Sequence, residues 1–366
     1  METHAAALRR WTRFATTLFV GLITLSACAA PQSQPSSAPA SGATNAPEAR
    51  APKVLTLGIL REPKTLVGVI GSLPRTGGAH NPRFIAHNLL VAPDEHGAYQ
   101  PQLASAKPSV EAGTWQVNPD GSMDTTWKLR PNVLWHDGTP FTASDLVFSF
   151  DAKKDPIACC PAGRPELMQS ASAPDPLTFV IHWSQVNADA DQAQEIEPWP
   201  RHILEPLFLG DKEGFVNSPW FTSAFVGLGP YRLVRWDQGS LMELARFDGY
   251  FRGRPPLDTV IVRFLDDPNA LVAGILSGAV DAVLSPALSV DTALEVRQRW
   301  EGTGNEVRFS PGDNFENIQI QYRPDYARPT NGLAVKQVRQ AFFQAIDRQT
   351  LVDVVSHGVS PVADSW

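Results

Sequence analysis

Residues 259–284 alternate strand, helix and strand, and this is the segment that most restricts the fold. Thr259–Phe264 is an apolar run. Asp267-Pro268 then opens a helix with proline in its first turn, where the missing N–H costs nothing. Leu271, Val272, Ile275 and Leu276 give that helix an apolar face, and Gly278 suits its C-terminal cap. Val280–Leu284 is a second apolar run. Strand, helix and strand over so short a span make a βαβ unit, which calls for parallel strands in a sheet covered by helices.

Elsewhere the pattern is antiparallel. Thr114–Asn118 and Thr125–Arg130 flank Pro119-Asp120-Gly121, and Tyr231–Trp236 and Leu241–Arg246 flank Asp237-Gln238-Gly239. Alternating segments around such turns predict two β-hairpins. Val54–Leu60, Thr178–Trp183 and Asn317–Tyr322 read as further strands. Thr142-Ala143-Ser144-Asp145 precedes Leu146-Val147-Phe148, so Thr142 caps a helix with the Asp145 carboxylate reaching back. Val335, Val338, Ala341, Phe342, Ala345 and Ile346 fall at helical spacing and predict an amphipathic helix over 335–346. The expected class is mixed α/β (α+β), with about two domains in the body from residue 53 to residue 366.

The N-terminus has a different character. Arg9, Arg10 and Arg13 precede Phe14–Leu25, which is apolar and uncharged. That stretch is shorter than the roughly 20 residues a membrane-spanning helix needs, and it has the length of a signal-peptide core. It ends in Leu25-Ser26-Ala27-Cys28, which resembles the lipobox of bacterial lipoproteins. The resemblance implies cleavage before Cys28, lipid on its sulfur, and an exported protein anchored to the membrane, facing the periplasm or the cell exterior. Residues 29–52 hold Pro31, Pro35, Pro39, Pro47 and Pro52 and no aromatic residue, Val, Ile or Leu. Nothing there can bury and offset the entropy of ordering, so 29–52 reads as a disordered tether. At about 3.1 Å per residue it reaches roughly 70 Å.

The whole chain has 31 basic and 38 acidic residues. Without Glu2, Arg9, Arg10 and Arg13 the counts are 28 and 37, a net charge of −9, which disfavours nucleic acid as a partner. Of the three cysteines, Cys159 and Cys160 are adjacent and poorly placed to bond to each other. Gly227-Leu228-Gly229 and Gly302-Thr303-Gly304 lack the third glycine of a dinucleotide loop, and no phosphate-loop, zinc-helix or nucleophile-elbow motif occurs. No cofactor, metal or catalytic residue is expected. His136-Asp137-Gly138-Thr139-Pro140 reads as a turn between a strand and a capped helix. A histidine cluster assembled only in three dimensions stays open.

Several segments, in order, resemble the large extracytoplasmic solute-binding proteins of ABC importers, in the peptide/nickel/dipeptide class (family 5). They are Pro101-Gln102-Leu103-Ala104; the run from Thr126 to Leu146, with Trp127-Lys128-Leu129-Arg130 and Trp135-His136-Asp137-Gly138-Thr139-Pro140-Phe141; Gly227-Leu228-Gly229-Pro230-Tyr231; Leu276-Ser277-Gly278-Ala279-Val280-Asp281; and Val338-Arg339-Gln340-Ala341-Phe342 with Ala345-Ile346-Asp347-Arg348. The resemblance implies a two-lobed fold like the type II periplasmic binding proteins. A monomer would close by hinge motion on a peptide or small organic solute and pass it to a membrane permease served by an ATPase. It places the first lobe at 53–312, with a subdomain at about 97–185, and the start of a second lobe at 313–366. Relatives run well past this point, so the second lobe is expected to be largely missing and ligand affinity poor. Cleft-lining stretches of relatives correspond to Gly78, Ala79, His80 and Asn81 and to Asn314, Phe315 and Glu316. A ligand-presenting sensor lipoprotein and a surface-anchored hydrolase are the alternatives.

Overall fold

The computed structural model describes residues 50–67, 78–157, 166–192, 196–284, 286–309, 320–321, 323, 325–328 and 332–362. Its strands are β1 Val54–Ile59, β2 Val91–Pro93, β3 Tyr99–Pro101, β4 Trp115–Val117, β5 Met123–Lys128, β6 Met168–Asp175, β7 Thr178–Trp183, β8 Tyr231–Asp237, β9 Leu241–Arg246, β10 Thr259–Phe264 and β11 Ala282–Val283. The helices are α1 Asn81–Ala86, α2 Ala143–Lys154, α3 Arg201–Gly210, α4 Lys212–Val216, α5 Pro268–Leu276, α6 Val290–Arg299, α7 Lys336–Ala345 and α8 Arg348–Val355.

The main sheet has the order β11-β1-β10-β9-β8. β1 runs parallel to both β10 and β11, with Leu57 opposite Val262 on one side and Ala282 on the other. The β10–α5–β11 crossover is therefore the expected βαβ unit, but it steps over β1, which lies between its two strands. β9 and β8 continue the sheet antiparallel, as the hairpin predicts. β11 is shorter than the expected Val280–Leu284. Only Ala282 and Val283 reach the ladder, while the Asp281 carboxylate takes the Thr56 N–H at 2.7 Å. Of the expected strand 317–322, only Ile320 and Gln321 are described, and neither is in a strand.

A second, antiparallel sheet has the order β4-β5-β7-β6. Met123, Thr125 and Trp127 of β5 and Phe179, Ile181 and Trp183 of β7 point inward, where α2 covers them with Leu146 and Phe150. The period of two along each strand sets this facing. Thr125 is the polar member of that face, and its hydroxyl accepts the Trp183 indole N–H at 2.9 Å. β6 carries mostly small and polar residues with two register shifts, so its sequence has little apolar alternation to read.

Two hydrophobic cores result. One underlies the main sheet and includes Leu57, Val260, Trp199, Phe215 and Phe225. The other fills the space between the antiparallel sheet and α2. Gly227-Leu228-Gly229 crosses between them. Leu228 lies in the second core, Phe225 and Tyr231 lie in the first, and Val226 packs against both.

The backbone of this strap is fully hydrogen-bonded. Gly227 N–H donates to His136 Nδ1 (3.1 Å) and Leu228 N–H to His87 Nδ1 (3.2 Å). Gly227 C=O accepts from His136 N–H (3.0 Å), and Leu228 C=O accepts from Asn88 Nδ2 (2.9 Å). Gly229 N–H donates to Ala86 C=O (3.1 Å), and Gly229 C=O meets His136 Nε2 (3.0 Å). A Cβ on Gly227 would lie 2.1 Å from Ala86 O, and one on Gly229 would lie 2.4 Å from Ala86 C. The two glycines serve close backbone passage, not a cofactor.

Asp145 joins the same region to α3. It is buried, and its Oδ2 accepts from Thr142 N–H at 2.8 Å, as expected of the cap. Its Oδ1 also accepts from Arg201 N–H at 3.0 Å, so one carboxylate caps both α2 and α3. Burial pushes this carboxyl upward, against the hydrogen bonds from Thr142 and Arg201. Ser149, one turn on, accepts Trp199 N–H at 2.8 Å.

α7 forms over the expected span, and the Asp347 side chain caps α8 by accepting from Thr350 N–H. Neither helix has a buried residue, and Val338, Phe342, Phe343, Leu351 and Val354 are exposed. Among the described residues no helix is long and apolar enough to cross a membrane. The segment containing Cys28 and the pair Cys159 and Cys160 lie outside the described residues.

Replacing Asp145 with alanine removes two caps and strands two N–H groups. Each lost cap costs about 0.5–2 kcal/mol, so we expect Asp145→Ala to lose about 1–4 kcal/mol. Urea unfolding checks this as a lower midpoint at unchanged slope.

Candidate functional site at the carboxyl edge of the central strand

In sheets with parallel strands, ligands collect outside the carboxyl ends where the strand order turns back. β1 holds that position, flanked by its two parallel neighbours. Ile59, its last residue, is buried, and its carbonyl accepts Leu265 N–H at 2.9 Å.

The chain then leaves along Leu60–Val67. The Glu62 carboxylate accepts the Trp236 indole N–H at 2.6 Å and the Gly239 N–H at 2.9 Å, tying this loop to the tip of the β8–β9 hairpin. Thr65, Leu66 and Val67 are buried behind it. The chain returns at Gly78, whose φ is +81°. A Cβ here would sit 3.0 Å from Ile59 Cγ2, so Gly78 lies directly against the end of β1. Both the dihedral and the space favour glycine.

Gly78, Ala79, His80 and Asn81 are therefore brought together at this edge. Gly78 and Ala79 are buried, while His80 and Asn81 are partly exposed. His80 stands at the start of α1, and Pro82 occupies the first turn. The His80 ring meets Phe84 edge-on at 6.4 Å, and Phe84 is half exposed. Arg83 lies over the Phe84 ring at 5.4 Å and pairs with Glu197 at 3.1 Å. Glu197 is almost fully buried, so this pair fixes α1 against the segment leading into α3. Imidazole, amide, guanidinium and phenyl groups thus share one rim. Such a set can hydrogen-bond peptide-like polar groups and stack on flat apolar ones.

Asn314, Phe315 and Glu316 lie outside the described residues. A cleft of about 240 Å³ opens on the other side of β1's neighbour β11, lined by Ile275, Val283, Leu284, Val296, Trp300 and Arg308. Among the described residues no three His, Cys, Asp or Glu side chains are grouped to hold a metal. Sequence reading missed Glu62, Arg83 and Phe84. Glu62 and its partner Trp236 are 174 residues apart, and neither stands in a pattern that announces the other.

A mixed sheet with its parallel strands at the centre and a satellite antiparallel sheet have the architecture of a lobe of a solute-binding fold. Residues 98–366 match the bacterial extracellular solute-binding proteins, family 5 Middle, and the chain belongs to that family. The oligopeptide-binding protein AppA of Bacillus subtilis is 27% identical over 248 residues, which is 67% of this chain and 43% of AppA. The chain thus spans less than half the length of that relative. Among solved structures, an oligopeptide-binding protein from Thermus thermophilus complexed with a pentapeptide aligns with a TM-score of 0.62 at 22% identity, over 86% of this chain and 58% of its own. NikZ from Campylobacter jejuni in complex with Ni(L-His) gives 0.58 at 22% identity, over 84% and 56%. At these identities the likeness carries the fold.

Proposed function

We propose that this chain is the solute-capturing component of an ABC importer, lipid-anchored through Cys28, which takes oligopeptides or a similar organic solute and delivers them to a membrane permease. The observation that carries the reading is the gathering of Gly78, Ala79, His80 and Asn81 at the carboxyl end of β1, in a chain matched to family 5 over residues 98–366. The named ligands of similar proteins, an oligopeptide and a nickel–histidine complex, support a polar organic solute. Residues 53–312 make the first lobe in this reading, with the 97–185 subdomain holding the antiparallel sheet. Residues 313–366 belong to a second lobe. The exposed apolar side chains of α7 and α8 support that assignment, because a helix with such a face is stable only when covered. Solute capture between two lobes then favours closure through contacts made only in the closed form. Asn314, Phe315 and Glu316 would face the cleft from the second side, and the chain acts as a monomer.

Peptide and nickel–histidine titrations followed by amide chemical shifts test the ligand reading, because shifts register even millimolar binding. We expect peptides to move the amides of Gly78–Asn81 and of 60–67. If neither probe moves these amides at millimolar concentration, the site is wrong. For the anchor, cells fed an alkyne fatty acid should label the full chain and not the Cys28→Ser variant; equal labelling of both would remove Cys28 from that role.

A further inference from the structure

The strap between the two cores is held by histidine rings whose protonation state its geometry dictates. At both His87 and His136 the Nδ1 atom faces a backbone N–H, so Nδ1 must be an unprotonated acceptor. The ring proton then resides on Nε2, which meets Pro198 C=O in His87 and Gly229 C=O in His136, each at 3.0 Å. All four ring nitrogens are thereby committed to neutral, Nε2-protonated imidazoles. Both side chains are buried, as are Gly227, Leu228 and Gly229.

We propose that His87 and His136 form an acid-sensitive latch, which holds the two hydrophobic cores together while both rings are neutral and releases the Gly227–Gly229 strap when they take up protons. Protonation of either ring turns Nδ1 into a donor aimed at another donor. The hydrogen bond becomes a repulsion, and a charge is left in an apolar seam.

The groups facing the rings do not rescue that charge. His87 is stacked by Trp135 and met edge-on by Phe225, and His136 packs against Phe247. Around His87, burial pushes the ring down to about 4. Glu197 opposes this, while Arg83 on α1 and His136 itself add to it. Around His136, burial again lowers the ring to about 4, with the Gly229 carbonyl and Asp137 opposing and Arg232 of β8 assisting. Free histidine titrates near pH 6.5. The folded values lie below the unfolded ones, so the unfolded chain binds the extra protons. The latch is therefore fully closed above about pH 6.5, weakens as pH falls towards 4, and weakens no further below that.

The latch reaches the candidate site because α1 ends on it. Ala86 C=O holds Gly229, and His87 directly follows, while Asn81 starts the same six-residue helix. Loosening of the strap would free α1 and the rim it carries. This consequence rests on the proposed function; the latch itself does not.

The test compares the full chain with the double variant His87→Asn, His136→Asn by urea unfolding from pH 7.5 to 4. The asparagine amide keeps an acceptor near Nδ1 and does not titrate. In the unaltered chain, two extra protons bound on unfolding make the unfolding constant rise by a factor approaching about 100 per pH unit near pH 5. The variant should be less stable at pH 7.5 and should lose most of that pH slope. An unchanged slope in the variant overturns the proposal. Should the variant fail to fold, ring resonances of the unaltered chain decide. Two histidines locked in the Nε2-protonated form until about pH 4, and titrating as the fold opens, support the latch. Titration of both near pH 6.5 in the folded chain contradicts it.

Discussion

The crossing of Gly227–Gly229 between two hydrophobic cores is the constraint on which the described structure depends. These three buried residues bring six backbone polar groups into the seam. Each unsatisfied one would cost about 1–3 kcal/mol. Here the imidazoles of His87 and His136, the Asn88 amide and the backbone of Ala86 and His136 satisfy all six. The absence of side chains at Gly227 and Gly229 lets the strap approach closely enough for those bonds to form. One arrangement thus unites packing and polar satisfaction, and it ties the antiparallel sheet to the main sheet.

The candidate site follows from that union. α1 is short, has no side-chain N-cap bond, and would not be stable alone. It is fixed at its end by the strap and along its side by the Arg83–Glu197 pair. Its start is set by Gly78 resting on Ile59. Glu62 fixes the outgoing loop in the same way, by binding the β8–β9 hairpin. The rim at the carboxyl edge of β1 is therefore held in place by contacts that lie outside it.

Local features of this fold were legible in the sequence, and distant ones were not. The two hairpins, the helix after Thr142 and the β10–α5–β11 unit all declare themselves through turn residues, capping side chains and periodicity. The Asp145 cap was readable, but its second bond to Arg201 was not, because 56 residues separate the two. His136 read correctly as part of a turn, yet its ring has a second task that only the fold reveals. His87 stands in no motif. The insertion of β1 between β10 and β11 likewise leaves no trace in local pattern. α3 escaped notice because Pro198, Pro200 and Pro206 break up its surroundings. For the site, Gly78–Asn81 came from family resemblance, while Arg83 and Phe84 stand in no motif.

Hydrogen exchange of the strap amides at neutral pH tests the central claim most directly. If the strap unites the two cores, Gly227, Leu228 and Gly229 should exchange only through global unfolding, with the same free energy as the slowest amides of β1 and β7. Exchange of these three amides through a much cheaper local opening, with both sheets still protected, would contradict the account.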